Sequence, residues 1–372
     1  MRVTVADPPA YTPPYDHALC EALADRGHDV TLATSHFRFA EVPEPHGYRR
    51  EERFYRVAPG SAAAKALQHP LDMARLSRRL RREQADIVHF QWLPIPNLDR
   101  LLVRGFPRPV VLTAHDVTPR EVRPGARGGT AALLRAVDAV IVHSQAGAAR
   151  VAEEAGVPAA RVHVIPHGAF THLTGMPAGS QLPALAGLDG RRVVLFFGLV
   201  RPYKGVDLLV EAIAGTPADV VLLVVGMPRM PLEPLERRAR ELGIADRVRF
   251  VPSFVPDADV AAYFRRAAVA VLPYREIEQS GVLYTALAFG TPLLLSAVGG
   301  FPEIAEHGAA RLFQSGSADA LREALVELLD DEEGRRRLSE GALALARGEH
   351  SWERAAALTE ELYARLLKET PR

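Results

Sequence analysis

Short apolar runs rich in Val, Ile and Leu recur along the chain, each bounded by Gly, Pro or charged residues and most followed by apolar positions at helical spacing. In the first half, residues 3–6, 29–34, 54–58, 87–90, 110–114, 139–143 and 162–165 read as strands. Between the first two, Ala18, Leu19, Ala22 and Leu23 share one face of a helix that Gly27 ends. The second half repeats the pattern from Arg192, with strands at 193–197, 220–225, 248–251, 269–272 and 293–296. Alternating strands and helices predict right-handed βαβ units, so each half is an α/β domain around a parallel sheet. Residues 1–175 form the first domain and 191–350 the second; 176–190, rich in Gly, Pro, Ala and Leu without a period, form the linker. Two open sheets joined by one linker leave a cleft between them. Residues 351–372 hold an amphipathic helix, with Ala356, Leu358, Leu362, Leu366 and Leu367 apolar, that either completes the second domain or crosses back to the first.

Composition narrows the classes. With 372 residues the chain is long enough for two such domains, and 45 basic residues balance 45 acidic ones, so no overall field recruits nucleic acid or membrane. The single cysteine, Cys20, excludes an internal disulfide, and the 13 histidines have no metal-ligand spacing, so no metal is expected. The amino terminus lacks a signal-peptide pattern, and no apolar run approaches the about 20 residues of a membrane span, so a cytoplasmic location is expected.

One loop concentrates the candidate chemistry. Gly198-Leu199-Val200-Arg201-Pro202-Tyr203-Lys204-Gly205 connects the strand at 193–197 to a helical stretch. It therefore sits at the carboxyl end of a parallel strand, where open α/β sheets bind ligands, with two cations beside a helix start whose N–H groups favour an anion. A phosphate or diphosphate fits. Ser280 and Gly281 open the helix after the strand at 269–272, and Gly299-Gly300-Phe301-Pro302-Glu303 follows the next strand. The loop matches neither G-x-x-x-x-G-K-[ST] nor G-x-G-x-x-G, which disfavours a P-loop NTPase and a dinucleotide dehydrogenase. In the first half His115 stands at a strand's carboxyl end, where a packing role and a substrate role are both open; His89, His143 and His167 occupy similar edges and read as structural.

These residues resemble a known family. The run from Gly198 to Leu209 is similar to the G-R-L-x-x-x-K-G-x-D-x-L signature of retaining GT-B glycosyltransferases of family 4 (glycosyl transferases group 1). The likeness continues through Val224-Val225-Gly226, Ser280-Gly281-Val282, Ala288-Phe289-Gly290-Thr291-Pro292 and Gly299 to Glu303, in order over nearly the whole chain. It implies a GT-B fold: two Rossmann-like domains facing a cleft, a nucleotide-sugar donor on the second, a hydroxyl acceptor on the first, and a carboxyl-terminal helix crossing back to the first. By the same resemblance Arg201 and Lys204 hold the donor diphosphate without a required metal or other cofactor. Gly198, Ser280, Gly281 and Val282 join them in donor binding, and His115 contacts a sugar hydroxyl.

The chain also departs from the family. In the E-x7-E motif Glu278 takes the first place, with Glu276 a rival, and Thr285 falls at the second, one residue short of the family spacing. A Thr hydroxyl contacts ribose without the charge that makes a carboxylate bond roughly twice as strong. The proline-rich stretch from Pro8 to His17 replaces the family's Gly-Gly, making Tyr15, Asp16 and His17 candidate acceptor contacts. The loop from Arg120 to Arg127 is a candidate acceptor lid. Arg75 to Arg82 lie on a helix opposite Leu67, Leu71, Leu76 and Leu80. They read first as a solvated face, and alternatively as a peripheral contact with the inner face of an anionic membrane. Without interleaved aromatics they do not suggest nucleic acid. The expectation is a hexosyltransferase acting on a UDP- or GDP-sugar and a glycan, lipid or small-molecule acceptor. A nucleotide-sugar epimerase and a non-catalytic sugar-nucleotide-binding protein are the alternatives; the base, sugar, acceptor and oligomeric state are not legible.

Overall fold

A computed structural model of the chain describes residues 1–38, 42–57, 60–116, 126–176, 182–277 and 280–369. It divides into two compact units, Met1–Gly168 with Trp352–Arg372, and Ala169–Ser351. The first unit's strands are β1 (Arg2–Asp7), β2 (Asp29–Ser35), β3 (Arg49–Phe54), β4 (Ile87–Phe90), β5 (Val110–Thr113), β6 (Ala139–Val142) and β7 (Val162–Val164). Among the described residues they form one parallel sheet in the order β3-β2-β1-β4-β5-β6-β7. The second unit's are β8 (Arg192–Phe197), β9 (Val220–Val225), β10 (Val248–Val251), β11 (Val269–Leu272), β12 (Leu293–Ser296) and β13 (Ala310–Phe313), parallel in the order β10-β9-β8-β11-β12-β13. Helices cover both faces of such sheets, so central strands such as β4, β9 and β12 are buried along their whole length.

Two strands differ from expectation, and both are at sheet edges. The strand expected at 54–58 is instead β3, whose sequence Arg-Arg-Glu-Glu-Arg-Phe has no apolar run. An edge strand open to water needs none, and charges there block pairing with another chain. Tyr55, at φ 56°, turns the chain out of the ladder, and Val57 is exposed. The outermost strand β13 was not expected at all: Ala310-Arg311-Leu312-Phe313 is too short and mixed to stand out between its flanking helices.

The crossover between units also lies earlier than the boundary at 175. The Thr171–Gly175 turn packs on the Asp257–Arg266 and Gly281–Phe289 helices of the second unit. Residues 182–190, expected as part of a linker, are tied to that unit too: Arg249 donates to the carbonyls of Ala184 and Ala186, Arg266 to that of Leu188, and Leu188 is buried. The Trp352–Glu369 helix belongs to the first unit and lies along the Pro13–Asp25 helix, burying Ala355, Ala356, Leu362, Tyr363 and Leu366. Its Tyr363 hydroxyl is 2.7 Å from His89 Nδ1 in β4.

At the end of β1 the Asp7 and Asp16 carboxyls are both buried and lie close enough to perturb one another. Burial pushes Asp7 up to about 6; burial and the neighbouring Asp7 charge push Asp16 well above the usual carboxylate range. The folded pair thus holds a proton more tightly than the unfolded chain does. Because both folded-state values are raised, the pair's contribution to stability is fully present below pH about 4 and is lost as pH rises through about 6. Asp16→Asn removes one of the two buried carboxyls and with it that part of the pH dependence. We expect the variant to melt roughly 2–4 °C higher than wild type at pH 8 and to show a flatter fall in melting temperature from pH 4 to 8. Parallel melting curves for the two proteins across that range would show that the pair holds no such proton.

Candidate functional site

In each sheet the strand order reverses once, between β1 and β4 in the first and between β8 and β11 in the second. Loops leaving the two strands at a reversal turn to opposite faces of the sheet and leave a crevice at their carboxyl ends. In the second unit those loops are 198–205 and 273–280, which carry most of the expected donor residues.

Backbone geometry fixes this crevice. Gly198, at φ 100°, leaves β8 in a conformation that favours glycine, and a Cβ there would stand 2.9 Å from Val282 Cγ2 and 3.5 Å from Lys204 Nζ. The Lys204 ammonium and the first turn of the Gly281–Phe289 helix therefore flank one point of backbone. Gly205, at φ 66°, starts the Val206–Ala214 helix so close to the next loop that a Cβ would sit 2.0 Å from the Pro273 carbonyl oxygen. Arg275 straps the loops together: its N–H donates to the Tyr203 carbonyl at 2.7 Å, and its guanidinium bonds the Pro202 carbonyl and both Asp207 oxygens. No comparable positioning was legible for Arg275 from sequence.

Lys204 is 8 % exposed, and its Nζ lies 4.9 Å from the centroid of the fully buried Tyr274 ring. The π face offsets part of the desolvation cost of the cation. Tyr274 also reaches Ser280 Oγ with its hydroxyl at 3.3 Å, and its carbonyl accepts from the Ser296 and Ser315 hydroxyls. Tyr274 thereby joins the cation to the helix start. Sequence reading passed over it, although an aromatic two residues beyond a buried parallel strand is the signal that could have found it. Arg201 is half-buried in extended conformation just ahead of the Pro202–Lys204 turn.

Of the remaining donor candidates, Ser280 is buried and Gly281 exposed at the helix start. The Thr285 hydroxyl, one turn on, donates to the Gly281 carbonyl at 3.0 Å, so its proton is used within the helix and it can meet a ligand only as an acceptor. Glu278 lies outside the described residues. Its rival Glu276 is exposed. Gly299, at φ 53°, comes so close to Ile277 that a Cβ would be 2.0 Å from its carbonyl oxygen, bringing the Gly-Gly loop against the same segment.

In the first unit His115 is buried, just past β5. Burial, then the neighbouring imidazoles of His143, His167 and His89, holds it well below the usual histidine range, so it is neutral at physiological pH. Its Nε2 is 3.0 Å from Gln91 Oε1, which can only accept; Nε2 therefore carries the proton and Nδ1 is the acceptor nitrogen. Gln91 Nε2 points to His89 Nε2 at 3.3 Å, and burial lowers His89 to about 3. The histidines read as structural thus set the tautomer of the one read as functional. Among the described residues no three His, Cys, Asp or Glu side chains converge as metal ligands.

Tyr15, Asp16 and His17, expected at the acceptor, all turn inward. Tyr15 packs its ring against His115, His143, His167 and Trp352 at 4.8–5.4 Å; Asp16 is buried and accepts from Thr12 Oγ1 at 3.5 Å; His17 Nδ1 is 2.8 Å from the Tyr48 hydroxyl. The helical period that carries them faces the core, a burial that a list of polar residue types does not show. The expected lid lies largely in 117–125, outside the described residues.

Comparison with known proteins places this geometry. Residues 15–172 match the family model for Glycosyltransferase Family 4, and residues 183–344 that for Glycosyl transferases group 1. A D-inositol 3-phosphate glycosyltransferase of Catenulispora acidiphila is 30% identical over 287 residues, covering 71% of this chain and 68% of that protein. Among solved structures, a sucrose-phosphate synthase from Thermosynechococcus elongatus superposes with a TM-score of 0.78 at 21% identity, covering 99% of both chains. HepE of Anabaena, solved with UDP and glucose, gives 0.78 at 20% identity, covering 98% of this chain and 100% of that one. These folds are GT-B. With family models matching both units, the chain belongs to the group 1 glycosyltransferases of family 4.

Proposed function

We propose that the protein transfers a hexose from a UDP- or GDP-linked donor to the hydroxyl of a glycan, lipid or small-molecule acceptor, with retention at the anomeric carbon and without a required metal or cofactor. The observation that carries this reading is the buried Lys204 ammonium beside Gly198 and the first turn of the Gly281–Phe289 helix, at the strand reversal of the second sheet. That turn offers unsatisfied N–H groups, and Lys204 and Arg201 add charge, so a diphosphate gains both directed donors and cations. Negative charge grows on the leaving phosphate as the anomeric C–O bond breaks, and groups already oriented there stabilise that stage more than the ground state. The acceptor oxygen bonds the anomeric carbon from the face the phosphate leaves, and its proton passes to the departing phosphate oxygen. His115 Nδ1 accepts from a donor-sugar hydroxyl. The complexes of HepE with UDP and glucose support a nucleotide-sugar donor for the shared fold.

A second surface bears on the acceptor. On the Ala62–Arg82 helix Leu67 and Leu71, 78% and 59% exposed, continue along one stripe into exposed Arg75, Arg78 and Arg82. Arg75 pairs with Asp72, and Arg81 and Arg79 are held by the Gly105 carbonyl and by Glu51. Exposed leucines running into arginines suit the interface of an anionic bilayer, which would present a lipid-linked acceptor.

The transfer reading is tested by incubating the protein with UDP- or GDP-hexoses and following nucleotide release. Wild type should release nucleotide slowly with water as acceptor and faster with a hydroxyl acceptor, and Lys204→Ala should slow both by about a hundredfold or more. NMR of the product should show an unchanged anomeric configuration. Normal turnover by the variant, or conversion of the donor sugar without transfer, would rule the assignment out. For the surface, vesicles containing phosphatidylglycerol should float the wild-type protein, and a Leu67→Glu, Leu71→Glu double variant should stay behind; equal flotation would remove the membrane proposal.

A further inference from the structure

The strand reversal of the first sheet, between β1 and β4, has its own crevice, and the loops that leave those strands carry Tyr11 and Trp92. Tyr11 is 61% exposed. A lone exposed tyrosine needs no explanation; this one differs in what lies beneath it. Its ring meets that of Trp92 edge to face, with centroids 5.5 Å apart, and the Trp92 indole stacks on His115 at 5.0 Å with 14° between planes. The indole N–H donates to Thr12 Oγ1 at 3.0 Å. Three rings thus step from solvent to the buried imidazole.

The backbone under Tyr11 is held as firmly. Asp7 Oδ2 accepts the N–H groups of Tyr11 and Thr12 at 2.7 and 3.2 Å, and the Asp7 carbonyl accepts that of Ala10 at 3.1 Å. Ala10 itself sits at φ 52°, a region that a residue with a Cβ enters only when its surroundings compel it. A buried carboxylate, a strained alanine and an anchored indole together fix the position of one exposed ring. Rigid loops of this kind serve binding, because a surface that is already ordered loses little freedom when a ligand arrives.

We infer that Tyr11, set by Trp92, is the platform on which the acceptor stacks, and that the acceptor presents a polyhydroxylated six-membered ring, of a saccharide or a cyclitol. The inference rests on the transferase reading, with the acceptor on the first unit. Such a ring carries C–H groups on one face and hydroxyls around its rim. The electron-rich face of the phenol attracts the C–H face and leaves the rim hydroxyls to polar groups. Burial holds His115 and His89 below the usual histidine range.

The chain has two tryptophans, so Trp352→Phe leaves Trp92 as the sole indole reporter. Methyl glucoside, mannoside and galactoside and myo-inositol would be titrated against its fluorescence, without donor. At least one should give a saturable change; Tyr11→Phe should keep its affinity, and Tyr11→Ala should weaken it about three- to tenfold. Should the Trp352 substitution disturb folding, saturation-transfer NMR on the otherwise native protein gives the same comparison, with the C–H protons of one ring face saturated most. In transfer assays the alanine loss should fall on the acceptor KM rather than on kcat. Equal affinity in Tyr11→Ala, binding of p-nitrophenol but of none of the rings, or no binding at all would overturn the platform. Because the titration needs no donor, it judges the platform separately from the Lys204→Ala experiment, which judges the transferase.

Discussion

The geometry of both candidate sites follows from the direction in which parallel strands must be connected. A right-handed crossover places each new strand on a fixed side of the last, so a sheet that grows first one way and then the other must contain one pair of neighbours whose connections depart to opposite faces. In the first unit that pair is β1 and β4, in the second β8 and β11. No helix can cover the carboxyl ends there. What the chain puts in the gap is therefore what a ligand meets: Lys204, Tyr274 and Ser280 in one case, Tyr11 and Trp92 in the other.

The two gaps are furnished with opposite electrostatics. In the second unit a lysine of low exposure lies over the π face of Tyr274, beside a helix start, which suits a polyanion. In the first, burial strips the charge from His89 and His115, and the Gln91 amide orders their remaining hydrogen-bonding capacity. A neutral, directional environment suits a polyol.

Much of this was legible in the sequence, and the exceptions have physical causes. Interior strands such as β9 and β11 announce themselves because both faces are buried and the apolar run is unbroken. The edge strands β3 and β13 do not, because water replaces one set of neighbours and relaxes the pattern. Gly198, Lys204 and Val282 could be grouped from their positions at strand ends and from the family resemblance, and the structure brings them to one point. The burial of Asp16 and His17 is not visible in the sequence, because a polar residue type says nothing about the face of the helix it occupies. Tyr274 and Trp92 were passed over because their roles lie in supporting another side chain, a relation between loops that are 70 residues or more from their partners and have no local signature.

The Trp352–Glu369 helix has a further consequence for how the molecule is made. It supplies Tyr363 to β4 and buries a face against the Pro13–Asp25 helix, yet it is synthesised only after the whole of the second unit. The second unit, Ala169–Ser351, is in effect an insertion within the first. On the ribosome the insertion can therefore complete its core while its host still lacks a wall.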